Sequence, residues 1–177
     1  RGANEGQREF LCDMVNHALC AYGAQADSGD AADDFWQTVR RVFLVGVAGV
    51  GKTYTIDLLA NALVAITGKA GALAAFCPTG AAAGAARGRT IDAALGVRRS
   101  RSTYEDLAND RLAKLQEENT GTHCAVLDEA WMNGCKLLGH ASAAAKQVLR
   151  GGAGDTDRDS FGSQVGQVVL CGDPKQL

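Results

Sequence analysis

Apolar positions along this chain alternate between a helical period and short continuous runs. Phe10, Leu11, Met14, Val15, Ala18 and Leu19 fall on one helical face. They predict an amphipathic helix over residues 4–19, with Asn4 as N-cap and Gln7 in the first turn. Residues 22–34 are small, acidic and polar, either a surface loop or the start of the next helix. The run R-V-F-L-V at 41–45 is apolar and β-branched and predicts a buried strand. Helical spacing returns at Ile56, Leu59, Ala60, Leu63 and Val64. A second buried strand is expected at 72–77, ending at Pro78, followed by an alanine-rich stretch suited to a short helix. Leu107, Leu112 and Leu115 give residues 104–118 a thin apolar stripe, read as a polar helix. A third strand at 123–127, a helix over 133–150, a Gly- and Asp-rich loop at 151–160 and a fourth strand at 167–171 complete the pattern. Strands alternating with helices predict an α/β fold, a mostly parallel sheet with helices on both faces.

Composition narrows the classes of function. The 177 residues suffice for one domain with a sizeable core. A net charge of -2 excludes a global basic field, so any nucleic-acid site must be local. None of the six cysteines lies in a C-x-x-C pair, which argues against a zinc ribbon or redox motif and for buried free thiols in a reducing compartment. No apolar run reaches the length of a membrane span, and no membrane role is expected. His17, His123 and His140 are scattered and form no triad or metal cluster in the sequence; each reads as a packing or surface residue.

The chemistry begins at residues 46–53, G-V-A-G-V-G-K-T, which fit the phosphate-binding P-loop G-x-x-x-x-G-K-[ST]. Glycine-rich turns match that pattern by chance, so the flanks decide. A strand is predicted before it and a helix after it, as the motif requires. Gly46, Gly49 and Gly51 free the backbone, and the N–H groups of the loop form an anion nest. Lys52 supplies positive charge to the β- and γ-phosphates, and Thr53 a hydroxyl to Mg²⁺. Gly46, Val47, Ala48, Gly49, Val50, Gly51, Lys52, Thr53 and the following Tyr54 therefore form the expected nucleotide-binding set, with ATP and Mg²⁺ as cofactors.

A second signal is Asp128-Glu129 at the tip of the third strand. After a P-loop, an Asp here is expected to hold Mg²⁺ with Thr53, and the neighbouring Glu to act as general base toward water. The competing reading is a carboxylate pair that answers a helix dipole. Arg87, Arg89, Arg98, Arg99 and Arg101 form the one local basic cluster, either a phosphate contact or an ordinary charged surface.

Four blocks in order, G-V-A-G-V-G-K-T, C-P-T-G-A-A-A with G-R-T-I, V-L-D-E-A and L-C-G-D-P-K-Q-L, resemble superfamily 1 helicases. The best match is the PIF family, named for petite integration frequency, which is grouped with RecD-like 5′-to-3′ DNA helicases. The likeness runs from Gln7 to Leu177. It implies a RecA-like P-loop domain in which Gln7 reads adenine and Asp173 and Gln176 sense the γ-phosphate. Lys52, Glu129 and Gln176 would be the catalytic residues. Pro78, Thr79, Gly80, Gly88, Arg89 and Thr90 would lie along single-stranded DNA. Two positions depart from the family pattern. Asp92 stands where the family usually has His, which implies repulsion of a nearby phosphate backbone. Ala130-Trp131-Met132 is a bulkier version of the usual Ile-Ser-Met turn.

The resemblance implies a first motor domain spanning 1–177, with a Q-motif helix and linker at 1–34 and a P-loop core at 35–177. It further implies a second motor domain in cis beyond Leu177, a monomeric protein, and work in DNA repair, recombination or telomere maintenance. The expected location is nucleus or mitochondrion in a eukaryote, otherwise cytoplasm. The chain starts at Arg1 and stops after a polar turn motif, so it is expected to be a piece of a longer protein, nearly inactive alone. Another superfamily 1 motor, RecD-like or acting on RNA, and a nucleotide-gated binding module without unwinding activity are the alternatives.

Overall fold

Five parallel strands form the sheet of the computed structural model, which describes residues 2–26, 40–100, 102–149 and 165–175. The strands are β1 (Arg40–Val45), β2 (Leu73–Cys77), β3 (Arg89–Thr90), β4 (Cys124–Leu127) and β5 (Gln167–Gly172), in the order β1-β5-β4-β2-β3. The helices are α1 (Glu5–Ala26), α2 (Lys52–Thr67), α3 (Gly80–Ala85), α4 (Ile91–Leu95), α5 (Asn109–Glu118) and α6 (Cys135–Val148).

Parallel strands covered on both faces need apolar side chains on both. Here β4 and β5 supply them by alternation. Val126, Val169 and Cys171 join Met14 and Ala18 of α1 and Ile56, Leu59 and Leu63 of α2 in one buried cluster. Ala125, Leu127 and Val168 join Ile91 and Leu95 of α4, Leu115 of α5 and Ala141, Ala144 and Val148 of α6 in the other. The expected α/β architecture with helices on both faces is what forms.

A fifth strand beyond the four expected, the two-residue β3, pairs with β2; three further local expectations fail, each through tertiary context. β1 was expected to be buried but is the sheet edge. It pairs only with β5 among the described residues, leaving Phe43 59% and Val45 52% exposed. Phe43 still stacks on Trp131, ring centroids 5.8 Å apart. α1 runs on to Ala26 instead of stopping near residue 19, through an alanine-containing stretch with good helix propensity, and Leu19 is exposed. α5 begins at Asn109 rather than 104 because Gln147 of α6 ties down the preceding segment: its Oε1 accepts from the Leu107 N–H, and its amide donates to Asp106. The loop at 151–160 and the stretch 35–39 lie outside the described residues.

Two histidines expected to be scattered meet where α1 crosses the strand ends. The Gln167 amide of β5, fully buried, donates to the Met14 carbonyl (2.6 Å) and lies 3.2 Å from His17 Nδ1. His123 lies nearby. Burial, reinforced by the charges of His17 and Lys69, pushes its pKa down to about 4 from 6.5. The neutral form is favoured in the fold, so the unfolded chain takes up the proton first as pH falls. Stability is therefore complete above 6.5 and is lost progressively toward pH of about 4, by on the order of 2–3 kcal/mol. Urea unfolding at about pH 7.5 and about pH 4.5 should show this fall, and His123→Gln should flatten it. An equal pH response in the variant would assign the loss to other groups.

Candidate nucleotide and nucleic-acid site

The site is built where β1, β4 and β5 end on the same edge of the sheet. In open α/β sheets ligands bind beyond the carboxyl ends of the strands. β1 runs into the loop 46–51, and α2 starts at Lys52. Gly51 caps that start in the left-handed region (φ 91), and a Cβ there would lie 2.8 Å from Gln7 Nε2. The left-handed backbone favours glycine there, and the Gln7 side chain reaches in over it. The Gly46 N–H donates to the Gly172 carbonyl (3.3 Å), and the Ala48 N–H to Asp173 Oδ2 (3.1 Å). The loop is tied to β5 at two points.

Lys52 Nζ donates to the carbonyls of Gly46 (2.7 Å) and Val47 (3.2 Å). The ammonium therefore sits across the mouth of the loop. Ala48, Gly49, Gly51, Lys52, Thr53, Asp128 and Glu129 line a cavity of about 310 Å³. The P-loop and the acidic pair, 76 residues apart in sequence at Lys52 and Asp128, share one wall-to-wall space, as their chemistry requires.

Asp128 is buried, and its Oδ1 accepts the Glu129 N–H at 3.0 Å. Glu129 has φ 49 and ψ 42, a left-handed conformation uncommon for a residue with a Cβ. Its carbonyl accepts the Met132 N–H (3.0 Å) and the Asn133 side-chain amide (3.4 Å), which hold the turn in place. Sparsely populated backbone held by surrounding bonds is concentrated at functional sites. Of the strands flanking β4, β2 ends in the buried Cys77 and β5 carries the buried Cys171 beside its last residue. Burial, with the charges of Asp128 and Glu129 added, pushes the Cys77 thiol up to about 11. Cys171 is likewise shifted upward, first by burial and then by Asp128. Both therefore stay neutral beside the carboxylates. The six cysteines are all free, but Cys12, Cys20 and Cys135 are exposed.

Asp128 and Thr53 line the same cavity, and hard oxygen donors with room for water suit Mg²⁺. Among the described residues no cluster of three or more His, Cys, Asp or Glu could hold a metal by itself, so such an ion would depend on the nucleotide phosphates for further ligands.

Gln7 is placed by a capping box. Asn4 Oδ1 accepts the Gln7 N–H (3.0 Å), and Gln7 Oε1 accepts the Asn4 N–H (2.9 Å). Gln7 Nε2 then donates to the Val50 carbonyl (3.1 Å) and more weakly to that of Gly51 (3.4 Å). The residue joins α1 to the P-loop and lines a second cleft of about 660 Å³ that Phe10, Val42, Leu44, Gly46 and Lys52 also border. Tyr54 lies exposed one residue beyond Thr53. Asp173 is buried and already committed, to Ala48 and to the Lys175 N–H (2.9 Å). Gln176 lies outside the described residues.

The polar strip after β2 sits on the same edge. Thr79 caps α3, its hydroxyl oxygen accepting the Ala82 N–H (3.2 Å), and Thr90 caps α4 by accepting from Ala93 (3.2 Å). A capping hydroxyl accepts through oxygen and keeps its own O–H to donate. Gly88 packs so closely on β2 that a Cβ would lie 2.4 Å from the Ala75 carbonyl oxygen, so packing requires glycine there. Arg89 is paired with Glu118 (2.6 Å). Asp92 is neutralised: Arg99 Nε donates to its Oδ2 at 2.6 Å, which removes the repulsion its sequence position implied. Arg101 lies outside the described residues.

Sequence reasoning passed over Arg99 as a specific contact and Gln167 altogether. The signal for Gln167 was visible, since a polar residue opening a fully buried strand needs a partner. No helix among the described residues is long and apolar enough to cross a membrane.

Comparison with known proteins agrees with this fold. A Pif1 from a Bacteroides species in complex with ADP-AlF4 is 22% identical with TM-score 0.68, matching all of this chain and 33% of its own. A Pif1 helicase from Candida albicans is 20% identical with TM-score 0.70, over all of this chain and 34% of its own. A Bacteroides Pif1 bound to ssDNA is 25% identical with TM-score 0.55, over 78% of this chain and 29% of its own. The chain thus spans about a third of the length of these solved helicases. No curated protein sequence matches it. Residues 32–177 match the PIF1-like helicase family, and the chain belongs to that family.

Proposed function

We propose that this chain is the first RecA-like motor domain of an ATP-dependent DNA helicase that moves 5′ to 3′ on single-stranded DNA. The observation that carries the reading is the shared cavity of P-loop and acidic pair, with the polar strip 78–80 on the same sheet edge. The P-loop amides and Lys52 bind the phosphates. Thr53 and Asp128 would hold Mg²⁺, which when bound neutralises phosphate charge. Glu129 takes the proton from the attacking water. Asp173 holds the P-loop through Ala48, so it links phosphate occupancy to the tip of β5, and with Gln176 it senses the γ-phosphate. Thr79, Gly80, Gly88 and Thr90, with Pro78 and Arg89 beside them, present backbone and hydroxyl groups to DNA phosphates. Such contacts suit a motor that must not read sequence.

The reading is supported by the family match and by relatives whose structures hold ADP-AlF4 or ssDNA. A second motor domain elsewhere in the protein closes on the nucleotide, and the solved relatives are long enough to include one. The deciding experiment is ATP turnover by the full-length protein with and without oligodeoxythymidine. A motor shows turnover stimulated by the strand. Binding of the strand without stimulation would make the protein a nucleotide-gated binding module instead.

Adenine selection is assigned to Gln7, whose amide borders the second cleft. To read the adenine edge with a donor and an acceptor, the Gln7 amide exchanges its bonds to Val50 and Gly51 for the base, while Oε1 keeps a second lone pair beside the Asn4 N–H. Gln7→Ala should therefore raise the KM for ATP more than that for GTP. Equal rises for the two nucleotides would reduce Gln7 to its bonds with Val50 and Gly51.

A further inference from the structure

We propose that Arg99 is a phosphate contact for single-stranded nucleic acid, aimed by Asp92 and Pro78. The inference rests on the reading of residues 78–80 as part of the DNA track. Three observations carry it. Arg99 Nε donates to Asp92 Oδ2 at 2.6 Å, and its Nη2 donates to the carbonyl of Pro78, at the start of that strip. The guanidinium remains 41% exposed, so its bonds fix its direction without enclosing it. Of its five N–H donors, those two bonds leave the outer edge of the fork for a ligand. Asp92 Oδ1 is buried and its Oδ2 accepts from Arg99 Nε, so the carboxylate's charge is answered where the side chain, 39% exposed, reaches the surface.

The neighbouring arginines differ. Arg89 is held by Glu118 and the Ala93 carbonyl, away from Pro78. Arg98 is exposed and lines a separate small cavity with Tyr104 and Arg111. Among the described residues Arg99 is thus a cation fixed at Pro78, one residue from Thr79. A fork held on one side by carboxylate and carbonyl loses little freedom when a phosphate oxygen binds the other side. Asp92 is a positioning residue here, acting through Arg99. A carboxylate on the track becomes a device that orients a cation.

The test uses the full-length protein and fluorescent oligodeoxythymidine, with affinity measured across a salt series. Arg99→Ala should weaken binding by about tenfold, the scale of a charge-assisted hydrogen bond. It should also reduce the slope of log affinity against log salt by about 0.7, one phosphate contact on a single strand. Arg99→Lys should restore the slope and only part of the affinity, since the charge returns without the fork. Asp92→Asn should weaken binding, and combining it with Arg99→Ala should add nothing further. Weaker binding by Arg99→Ala with an unchanged slope would mean the residue only supports Pro78, and the proposal falls. Unchanged binding by Arg99→Ala, with Thr79→Ala still weakening it, would remove Arg99 and leave the track standing. Failure of the unsubstituted protein to bind the oligonucleotide would remove both.

Discussion

Lys52→Ala should bring ATP hydrolysis by the full-length protein down to background. The ammonium lies over the loop, on the carbonyls of Gly46 and Val47, inside the cavity that Asp128 and Glu129 close from the other side. Those carbonyls are weak partners for a full charge, and a phosphate oxygen is a strong one. Each charge-assisted hydrogen bond contributes about 1.5–3 kcal/mol, and the residue meets phosphates that gain charge as the reaction proceeds. Removing it costs about 10²-fold at the least. The loop itself should survive, because its ties to Gly172 and Asp173 do not pass through Lys52. Steady-state phosphate release measures the effect. Normal turnover would remove the P-loop assignment.

Glu129→Gln should separate binding from chemistry. The substitution keeps shape and hydrogen-bonding reach but removes the base. The turn that carries it is held through the Glu129 carbonyl, which accepts from the Met132 N–H and the Asn133 side-chain amide, so the backbone has no reason to move. Nucleotide affinity should stay close to that of the unsubstituted protein, while hydrolysis falls by about 10²- to 10⁴-fold. Single-turnover hydrolysis beside equilibrium nucleotide binding reads both quantities. If Glu129→Gln and Asp128→Asn each left the rate intact, the acidic pair would be structural, as the helix-dipole alternative has it.

What was legible in the sequence was what is local. The P-loop declares itself within eight residues, and β2, β4 and β5 are short apolar runs that hardly depend on their surroundings. Asn4 and Gln7 carry a capping-box spacing, and the helix does start there. Edge position is not local. β1 reads like a buried strand, but burial depends on which strands lie beside it. The late start of α5 is likewise decided by Gln147, about 40 residues downstream. The site divides in the same way. The residue types at the phosphate cavity could be named from motifs, whereas their bonds could not. Asp173 could be named from its motif, but its bond to the Ala48 N–H could not. Asp92 looked like a repulsive charge until Arg99, seven residues on, was seen to answer it.

Strand separation is the direct readout of a motor. The full-length protein should be given ATP, Mg²⁺ and a partial duplex bearing either a 5′ or a 3′ single-stranded tail. ATP-dependent unwinding of the 5′-tailed substrate is expected, little on the 3′-tailed one, and none by Lys52→Ala. Robust ATP hydrolysis with no strand separation on either substrate, or unwinding that persists in Lys52→Ala, would contradict the motor reading.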